Sequence, residues 1–135
     1  MAFRAPLEVE LLDAVRSALD RDGLVFNDLN QVSYWSGMAF PVYAPRTHFS
    51  PAGFGALGFA LPAALGAKVA LPARQVVALA GDGGFLYTGQ ELATAAYYRL
   101  AVPVVVFNDS AYGAIRAHQR VQFGGRYVGC NLATT

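Results

Sequence analysis

The chain has 135 residues, of which 55% are apolar and 14% are charged. This length suits one domain around one hydrophobic core, and the composition excludes intrinsic disorder. Ten basic and nine acidic residues leave a net charge of +1, which gives no electrostatic reason to expect a nucleic acid as partner. An average soluble domain has about 25% charged residues, so we expect another domain or another copy of the chain to cover part of this surface.

Neither a disulfide framework nor a membrane span is indicated. The one cysteine, Cys130, cannot form an internal disulfide bond, and we expect it to be a small buried apolar residue. A stretch of 21 residues, 47–67, lacks Lys, Arg, Asp and Glu and has the length of a transmembrane helix. Because His48, Pro51, Pro62 and four glycines interrupt it, we expect a cytoplasmic protein with no membrane partner.

The predicted elements alternate between helices and strands. In chain order they are a helix over 7–22, a strand over 24–26, a helix around Trp35, a helix over 59–70, a strand over 75–80, a helix ending at Arg99, a strand over 103–107 and a helix that begins near Tyr112. The helix over 59–70 is apolar on nearly every side, which predicts burial all round. Thr88 and Glu91 have the spacing of a capping box that opens the helix ending at Arg99. This order predicts an α/β fold: a doubly wound, mostly parallel sheet with helices on both faces.

A polar segment directly follows each of the three predicted strands. The segments are 27–31, 81–84 and 108–110. Because parallel strands end at one edge of the sheet, these segments should meet there, and Asp82 and Asp109 should face one small space. Each aspartate alone is equally explained as a turn residue or a helix cap. Together they would repel each other unless a cation or a shared proton lay between them, and oxygen ligands favour Mg²⁺. Since Mg²⁺ commonly bridges carboxylates to phosphates, the pattern predicts a metal and diphosphate site.

A second motif, Gly-Phe-Gly-Ala-Leu-Gly over 53–58, matches the dinucleotide fingerprint G-x-G-x-x-G. That fingerprint requires a strand immediately before it, and 46–52 contains Pro51 and no apolar run. No acidic residue stands about 20 positions further on to bind a ribose. Binding of NAD or FAD is therefore the less favoured alternative, although three glycines within six residues indicate that something approaches this backbone closely.

Two long segments carry a family resemblance: GFGALGFALPAALGAKVA over 53–70, and QVVALAGDGGFLYTGQELATAAYYRLAVPVVVFNDSAYGAIR over 75–116. They resemble the C-terminal diphosphate-binding (PP) domain of thiamine-diphosphate-dependent enzymes, in the group of acetolactate synthase and benzoylformate decarboxylase. The family signature, a Gly-Asp-Gly closed by an Asn pair, is matched by Gly81-Asp82-Gly83 and by Asn108-Asp109. The resemblance implies the thiamine-diphosphate-binding fold, with thiamine diphosphate and Mg²⁺ as cofactors.

The resemblance also implies roles for individual residues. Asp82, Asp109 and the backbone carbonyl of Ala111 stand at the three protein ligands of Mg²⁺. Asp109 departs from the family, which usually has Asn there, and it adds negative charge beside an anionic diphosphate. The positions that resemble cofactor contacts are Asn30, Gln31, Gly55, Leu57, Gly81, Gly83, Gly84, Asn108, Tyr112 and Gly113. Among them, Leu57 matches the bulky residue over which the cofactor bends, and the carbonyl of Gly55 matches the acceptor for its aminopyrimidine.

In this family a glutamate from a pyrimidine-binding domain activates the cofactor, which then decarboxylates a 2-oxo acid. We expect Glu8 and Glu10 to lie on the first helix, away from the site edge, and Glu91 to be used in the capping box. The 135 residues are therefore expected to form a single domain, a fragment or one domain of a longer homo-oligomeric enzyme, and to be inactive alone. The alternative is a non-catalytic homologue that retains the fold as an assembly module.

Overall fold

The structure, a computed structural model, describes residues 7–133. The elements in this part of the chain are α1 (Leu7–Ala18), β1 (Leu24–Asn27), α2 (Gln31–Ala39), β2 (His48–Phe49), α3 (Ala60–Ala70), β3 (Val76–Gly81), α4 (Asp82–Thr88), α5 (Glu91–Tyr97), β4 (Val104–Phe107) and α6 (Gly113–Gln122). Strands and helices alternate nearly as the sequence pattern predicts. None of the helices in residues 7–133 is long and apolar enough to cross a lipid bilayer.

The four strands form one sheet in the order β2-β1-β3-β4, and every neighbouring pair is parallel. In the register of the central pairs, Asn27 lies opposite Leu79 and Gly81 lies opposite Phe107. The strands β1, β3 and β4 therefore end at the same edge of the sheet. The predicted parallel sheet is confirmed, and so is the shared edge on which the predicted site depends.

Helices cover both faces of the two central strands. On one face, Val25, Val77 and Leu79 pack with Leu12 of α1 and Val32 of α2. On the other face, the alternate strand residues pack against α3; they are Leu24, Phe26, Val76 and Ala78, and they meet Ala60 and Ala64. Every residue of β1 and β3 is buried, as expected of strands covered on both sides. The doubly wound α/β architecture is therefore confirmed.

The predicted capping box at Thr88 and Glu91 is wrong. A helix already begins at Asp82, directly after β3, and Thr88 is its last residue. The Thr88 hydroxyl donates to the carbonyl of Gly58 (3.2 Å), and Glu91 instead accepts a hydrogen bond from Thr94 (2.9 Å). The sequence spacing was compatible with a cap, but the chain breaks its helix after Thr88 and starts α5 without a side-chain cap.

Two further expectations differ from the structure. The helix α3 is not buried all round, since its buried residues are Ala60, Leu61, Ala64 and Leu65, while Val69 is 64% exposed. The segment 46–52, expected to contain no strand, includes the two-residue strand β2, which pairs with β1. A two-residue strand needs no apolar run, because its backbone pairs with β1 and only Phe49 packs on the core face of α3.

Candidate functional site

A cavity of about 540 Å³ opens at the edge where β1, β3 and β4 end. All the positions that the sequence analysis selected for the site line this cavity. They are Asn30, Gln31, Gly55, Leu57, Gly81, Asp82, Gly83, Gly84, Asn108, Asp109, Ala111, Tyr112 and Gly113. The cavity is thus assembled from the ends of three strands and from the glycine-rich turn before α3, as the topology predicts.

Asp82 and Asp109 face this cavity from neighbouring strand ends. Asp82 is buried as the first residue of α4, and Asp109 follows β4. Burial raises the pKa of Asp109, and the nearby negative charge of Asp82 raises it further. The predicted meeting of the two aspartates is confirmed. Two carboxylates that repel each other in one cavity provide an oxygen donor set that suits a hard divalent cation.

Arg116 partly balances the negative charge of Asp109. It lies in the first turns of α6, and its positive charge acts against the increase in the Asp109 pKa. Arg116, Arg120 and Asp109 line a smaller polar cavity of about 290 Å³ next to the first one. The additional negative charge of an aspartate at this position is therefore accompanied by a nearby cation.

A segment near the end of the chain, residues 130–132, pairs with the backbone around Ala111 and fixes it. The sequence analysis did not predict this pairing. The Tyr112 N–H donates to the carbonyl of Cys130 (2.8 Å), and the Leu132 N–H donates to the carbonyl of Ser110 (2.8 Å). These bonds form an antiparallel bridge between Ala111 and Asn131. Neither bond uses the Ala111 carbonyl, the oxygen that the family resemblance assigns to the metal. Pairing of this kind between a loop and a distant short segment has no local sequence signal.

Asn108 shapes the turn that carries Asp109. Its Oδ1 accepts a hydrogen bond from the Ser110 N–H (3.0 Å), and Ser110 has a positive φ of 55°. An Asn side chain that bonds two residues ahead stabilises such turns. Asn108 therefore lines the cavity and also holds the backbone between β4 and Ala111.

The glycines at the end of β3 and the start of α4 are explained by close approaches between protein segments. A Cβ atom on Gly83 would lie 2.7 Å from the ring of Tyr112, and one on Gly81 would lie 3.1 Å from the Cβ of Asn30. A Cβ atom on Gly84 would overlap the carboxyl group of Asp28. These glycines let three segments converge at the cavity, whereas the sequence pattern alone suggested only room for phosphate.

The glycine-rich turn (residues 53–58) is held by Asp28, which the sequence analysis did not single out. The Asp28 carboxylate accepts hydrogen bonds from the N–H groups of Gly58 (2.8 Å) and Phe59 (3.2 Å). Gly55 and Gly58 have φ values of +65° and +80°, which only glycine adopts readily. The only sequence signal for this role was the position of Asp28 directly after a predicted strand.

Asn30 offers an unsatisfied donor at the cavity. It is the N-cap of α2, and its Oδ1 accepts from the Ser33 N–H (2.8 Å) while the Ser33 hydroxyl completes a capping box. Its Nδ2 is buried and has no hydrogen-bond partner within residues 7–133. The neighbouring Gln31 donates through Nε2 to the Gly113 carbonyl (3.2 Å), so this loop is tied to the start of α6. A buried donor without an acceptor fits a ligand that is rich in acceptor oxygens, such as a diphosphate.

Tyr112 forms a hydroxyl pair with Tyr87. The side-chain hydrogen bond to Tyr87 raises the pKa of Tyr112, and burial and the negative charge of Asp82 act in the same direction. The Tyr112 phenol, which lines the cavity, therefore remains a protonated donor at neutral pH.

The expected position of Glu8 is wrong. Glu8 lines the cavity from the first turn of α1, together with Leu7 and Leu11. A third carboxylate of the chain thus lies at the cavity, because α1 packs on α2 and its N-terminal turn reaches the edge where the strands end. The sequence pattern identified the apolar face of α1 but did not show which edge of the sheet its start approaches.

The histidines lie outside both cavities described above. His48 sits beside Asn27 and Ser36, with its Nε2 2.8 Å from Asn27 Nδ2 and 2.7 Å from Ser36 Oγ. Burial lowers the pKa of His48, which favours the neutral ring at this position inside the fold. Among residues 7–133, no three His, Cys, Asp or Glu side chains cluster to hold a metal ion. A cation at the strand ends would therefore depend on Asp82, Asp109 and backbone or ligand oxygens.

Comparisons with known proteins agree with this arrangement. Residues 28–134 match the family described as thiamine pyrophosphate enzyme, C-terminal TPP binding domain. The chain is 46% identical over 120 residues to a probable 2-ketoarginine decarboxylase of Pseudomonas aeruginosa, an alignment that covers 85% of this chain and 21% of that protein. It is 43% identical over 123 residues to the acetolactate synthase large subunit of Parasynechococcus marenigrum, covering 91% and 20% of the two chains.

A solved structure shares the fold along the whole chain. The thiamine diphosphate-dependent 4-hydroxybenzoylformate decarboxylase of Rhodococcus jostii RHA1 superposes with a TM-score of 0.85 at 30% identity, covering 100% of this chain and 26% of that one. The chain spans about a fifth of the length of the curated relatives named above. The chain therefore belongs to the thiamine pyrophosphate enzyme family, as the C-terminal TPP-binding domain of acetolactate synthase-like and decarboxylase-like enzymes.

Proposed function

We propose that this domain binds thiamine diphosphate through Mg²⁺ and serves a 2-oxo acid decarboxylase or an acetolactate synthase-like carbon–carbon lyase or transferase. The observation that carries the proposal is the convergence of Asp82 and Asp109 at one cavity, with the glycine-rich turn on its wall. Two carboxylates provide the negative ligands that a divalent cation needs, and the cation in turn attracts a diphosphate.

The residues present fit these cofactors. In the proposal, Asp82, Asp109 and the Ala111 carbonyl hold Mg²⁺, and the unsatisfied Asn30 Nδ2 donates to a phosphate oxygen. Leu57 and Gly55, which line the same cavity from the glycine-rich turn, contact the organic rings. When bound, thiamine diphosphate supplies an electron-accepting ring for decarboxylation. The part played by the chain itself is to anchor, bend and shield the cofactor.

The proposed substrate and partners follow from the relatives. Two of them are named for decarboxylation of 2-ketoarginine and 4-hydroxybenzoylformate, which are both 2-oxo acids. We assign the activating glutamate to a pyrimidine-binding domain outside these 135 residues, in a cytoplasmic homo-oligomer. Glu8 is the one glutamate among residues 7–133 that lines the cavity. It is therefore the alternative candidate, within this chain, for the activating glutamate.

Cofactor titration with and without Mg²⁺ tests the proposal. Calorimetric titration of the 135-residue chain with thiamine diphosphate should saturate in the presence of Mg²⁺ and should lose most of its heat when EDTA is present. Asp82→Asn removes one negative ligand and should weaken Mg²⁺-dependent binding at least about tenfold, the cost of one charge-assisted contact.

The matched control is Asp22→Asn. Asp22 lies before β1, at the opposite edge of the sheet, where it pairs with Arg74 at the surface. Its substitution should leave the titration unchanged. Metal-independent binding, or equal effects of the two substitutions, would contradict the proposed site. Absence of saturation by the wild-type chain would favour the assembly-module alternative.

A further inference from the structure

Asp28 is a buried carboxylate that the proposed function does not use. It follows β1 and is 1% exposed, and it does not itself line the cavity. Its two oxygens accept hydrogen bonds from three backbone N–H groups: Gly58 (2.8 Å) to Oδ2, and Phe59 (3.2 Å) and Leu29 (3.1 Å) to Oδ1. A charged group this deep in a protein costs stability unless its contacts compensate for lost water.

We propose that Asp28 is a positioning residue whose carboxylate holds the glycine-rich turn so that Leu57 and Gly55 face the cavity. Its consequence for binding rests on the proposed function, because only a bound cofactor would contact these residues. The turn leads from the exposed Gly53 to the buried Gly58, and the two bonds from Gly58 and Phe59 to Asp28 fix its end at the start of α3.

The chemistry of the site requires a carboxylate. Donors approach both oxygens, so an amide would place its NH₂ group against one of the N–H donors, and a hydroxyl would lack the second acceptor. Burial raises the pKa of Asp28, while the hydrogen bonds from the three N–H groups act in the opposite direction and favour the carboxylate. A charge retained at this cost, next to a turn that lines the cavity, indicates a role in the geometry of the site.

Asp28 also connects the turn to the helix that carries Asp82. A Cβ atom on Gly84 would overlap the Asp28 carboxyl group, so the first turn of α4 packs directly on it. The Thr88 hydroxyl at the end of α4 donates to the Gly58 carbonyl (3.2 Å). The carboxylate thus contacts both the turn that bears Leu57 and the helix that begins with Asp82.

Amide hydrogen exchange of the ¹⁵N-labelled 135-residue chain tests the positioning without any cofactor. In the wild type, the Gly58 N–H should exchange at least about a hundredfold more slowly than the N–H of the exposed Gly53. Asp28→Asn should accelerate exchange at Gly58 at least about tenfold, the effect expected for loss of one hydrogen bond to a charged group. It should also shift the Leu57 methyl resonances.

Cofactor titration in Mg²⁺ then tests the consequence. Asp28→Asn should raise the Kd for thiamine diphosphate about tenfold, while Asp22→Asn, the same chemical change at the far edge, should alter neither exchange nor Kd. A purely structural role would instead shift resonances throughout both cores, with no selective change at Gly58 and Leu57. That pattern, or accelerated exchange with an unchanged Kd, overturns the proposal.

Two results separate this proposal from the proposed function. If the wild-type chain binds no cofactor, the proposed function fails, and the exchange rates and Leu57 shifts still decide whether Asp28 holds the turn. If Asp28→Asn does not fold, the wild type alone suffices, since the Gly58 amide proton shift should follow the titration of the Asp28 carboxyl carbon. A Gly58 shift that does not follow it contradicts the positioning role.

Discussion

Gly83 illustrates how much of the cavity depends on single atoms. It lies in the first turn of α4 between Asp82 and Gly84, and the ring of Tyr112 packs on its Cα. The sequence motif identified Gly83 as a site residue. The motif did not identify the Tyr112 ring as its neighbour, because that contact joins segments nearly thirty residues apart and depends on the final register of β3 and β4.

Replacement of Gly83 with Ala should destabilise the chain. The new methyl group would lie 2.7 Å from the Tyr112 ring, and such overpacking costs about 1–3 kcal/mol, more than the roughly 0.5–1 kcal/mol that Ala gains in a helix. We expect a net loss of about 1 kcal/mol in the free energy of unfolding, measured by urea denaturation.

The matched control is Gly66→Ala in α3. Gly66 is exposed, and a Cβ atom there would have no neighbour within 4 Å, so this substitution should raise the free energy of unfolding by about 0.5–1 kcal/mol. Equal effects at the two glycines would show that Tyr112 does not pack on Gly83 as described.

At the scale of elements, the strands were easier to predict than the helix ends. The runs at β3 and β4 are continuously apolar, which predicts two strands covered on both faces. This is correct for β3, but the expected burial of β4 is wrong: no residue of β4 is buried, and Val106 is 38% exposed. Helix starts depend on local competition among caps. Thr88 and Glu91 had the correct spacing but were not used, while the capping box of Asn30 and Ser33 was missed because Asn30 was assigned only to phosphate.

Asn30 both caps α2 and lines the cavity, so two substitutions in this cap should affect different quantities: one should change stability and the other cofactor binding. Ser33→Ala removes one half of the capping box and should lower the free energy of unfolding by about 1 kcal/mol, with no change in cofactor affinity. Asn30→Ser retains a good N-cap and should change stability by less than about 1 kcal/mol.

Asn30→Ser also removes the buried Nδ2 that has no partner within residues 7–133, so under the proposed function it should weaken binding of thiamine diphosphate several-fold. Thermal unfolding and calorimetric titration of both variants provide the comparison. If Ser33→Ala weakens binding as much as Asn30→Ser, the effect comes from the α2 cap, and Nδ2 has no contact with the ligand.

On the scale of the whole molecule, the chain exposes an unusual amount of apolar surface. Neither α5 nor α6 has a buried residue, and the side chains of Tyr97, Val121 and Phe123 are 80%, 77% and 62% exposed. The low fraction of charged residues predicted such a surface, and the relatives, about five times longer, contain further domains that can cover it. The identity of the covering element depends on contacts outside these 135 residues, so the sequence could indicate only that one is needed.

Under the proposed function, this chain anchors the cofactor and another domain activates it. We therefore expect the 135-residue chain to bind cofactor without turnover. With Mg²⁺, thiamine diphosphate and either 2-ketoarginine or 4-hydroxybenzoylformate, release of CO₂ should equal that of a control without protein. The physical reason is that the proposal assigns the activating glutamate to a pyrimidine-binding domain outside these residues. Glu8 is the chain's own candidate, because it lines the same cavity. Turnover by the wild type that disappears in Glu8→Gln would transfer the activating role to α1, whereas turnover that persists in Glu8→Gln would require a base that neither the cavity nor the partner domain explains.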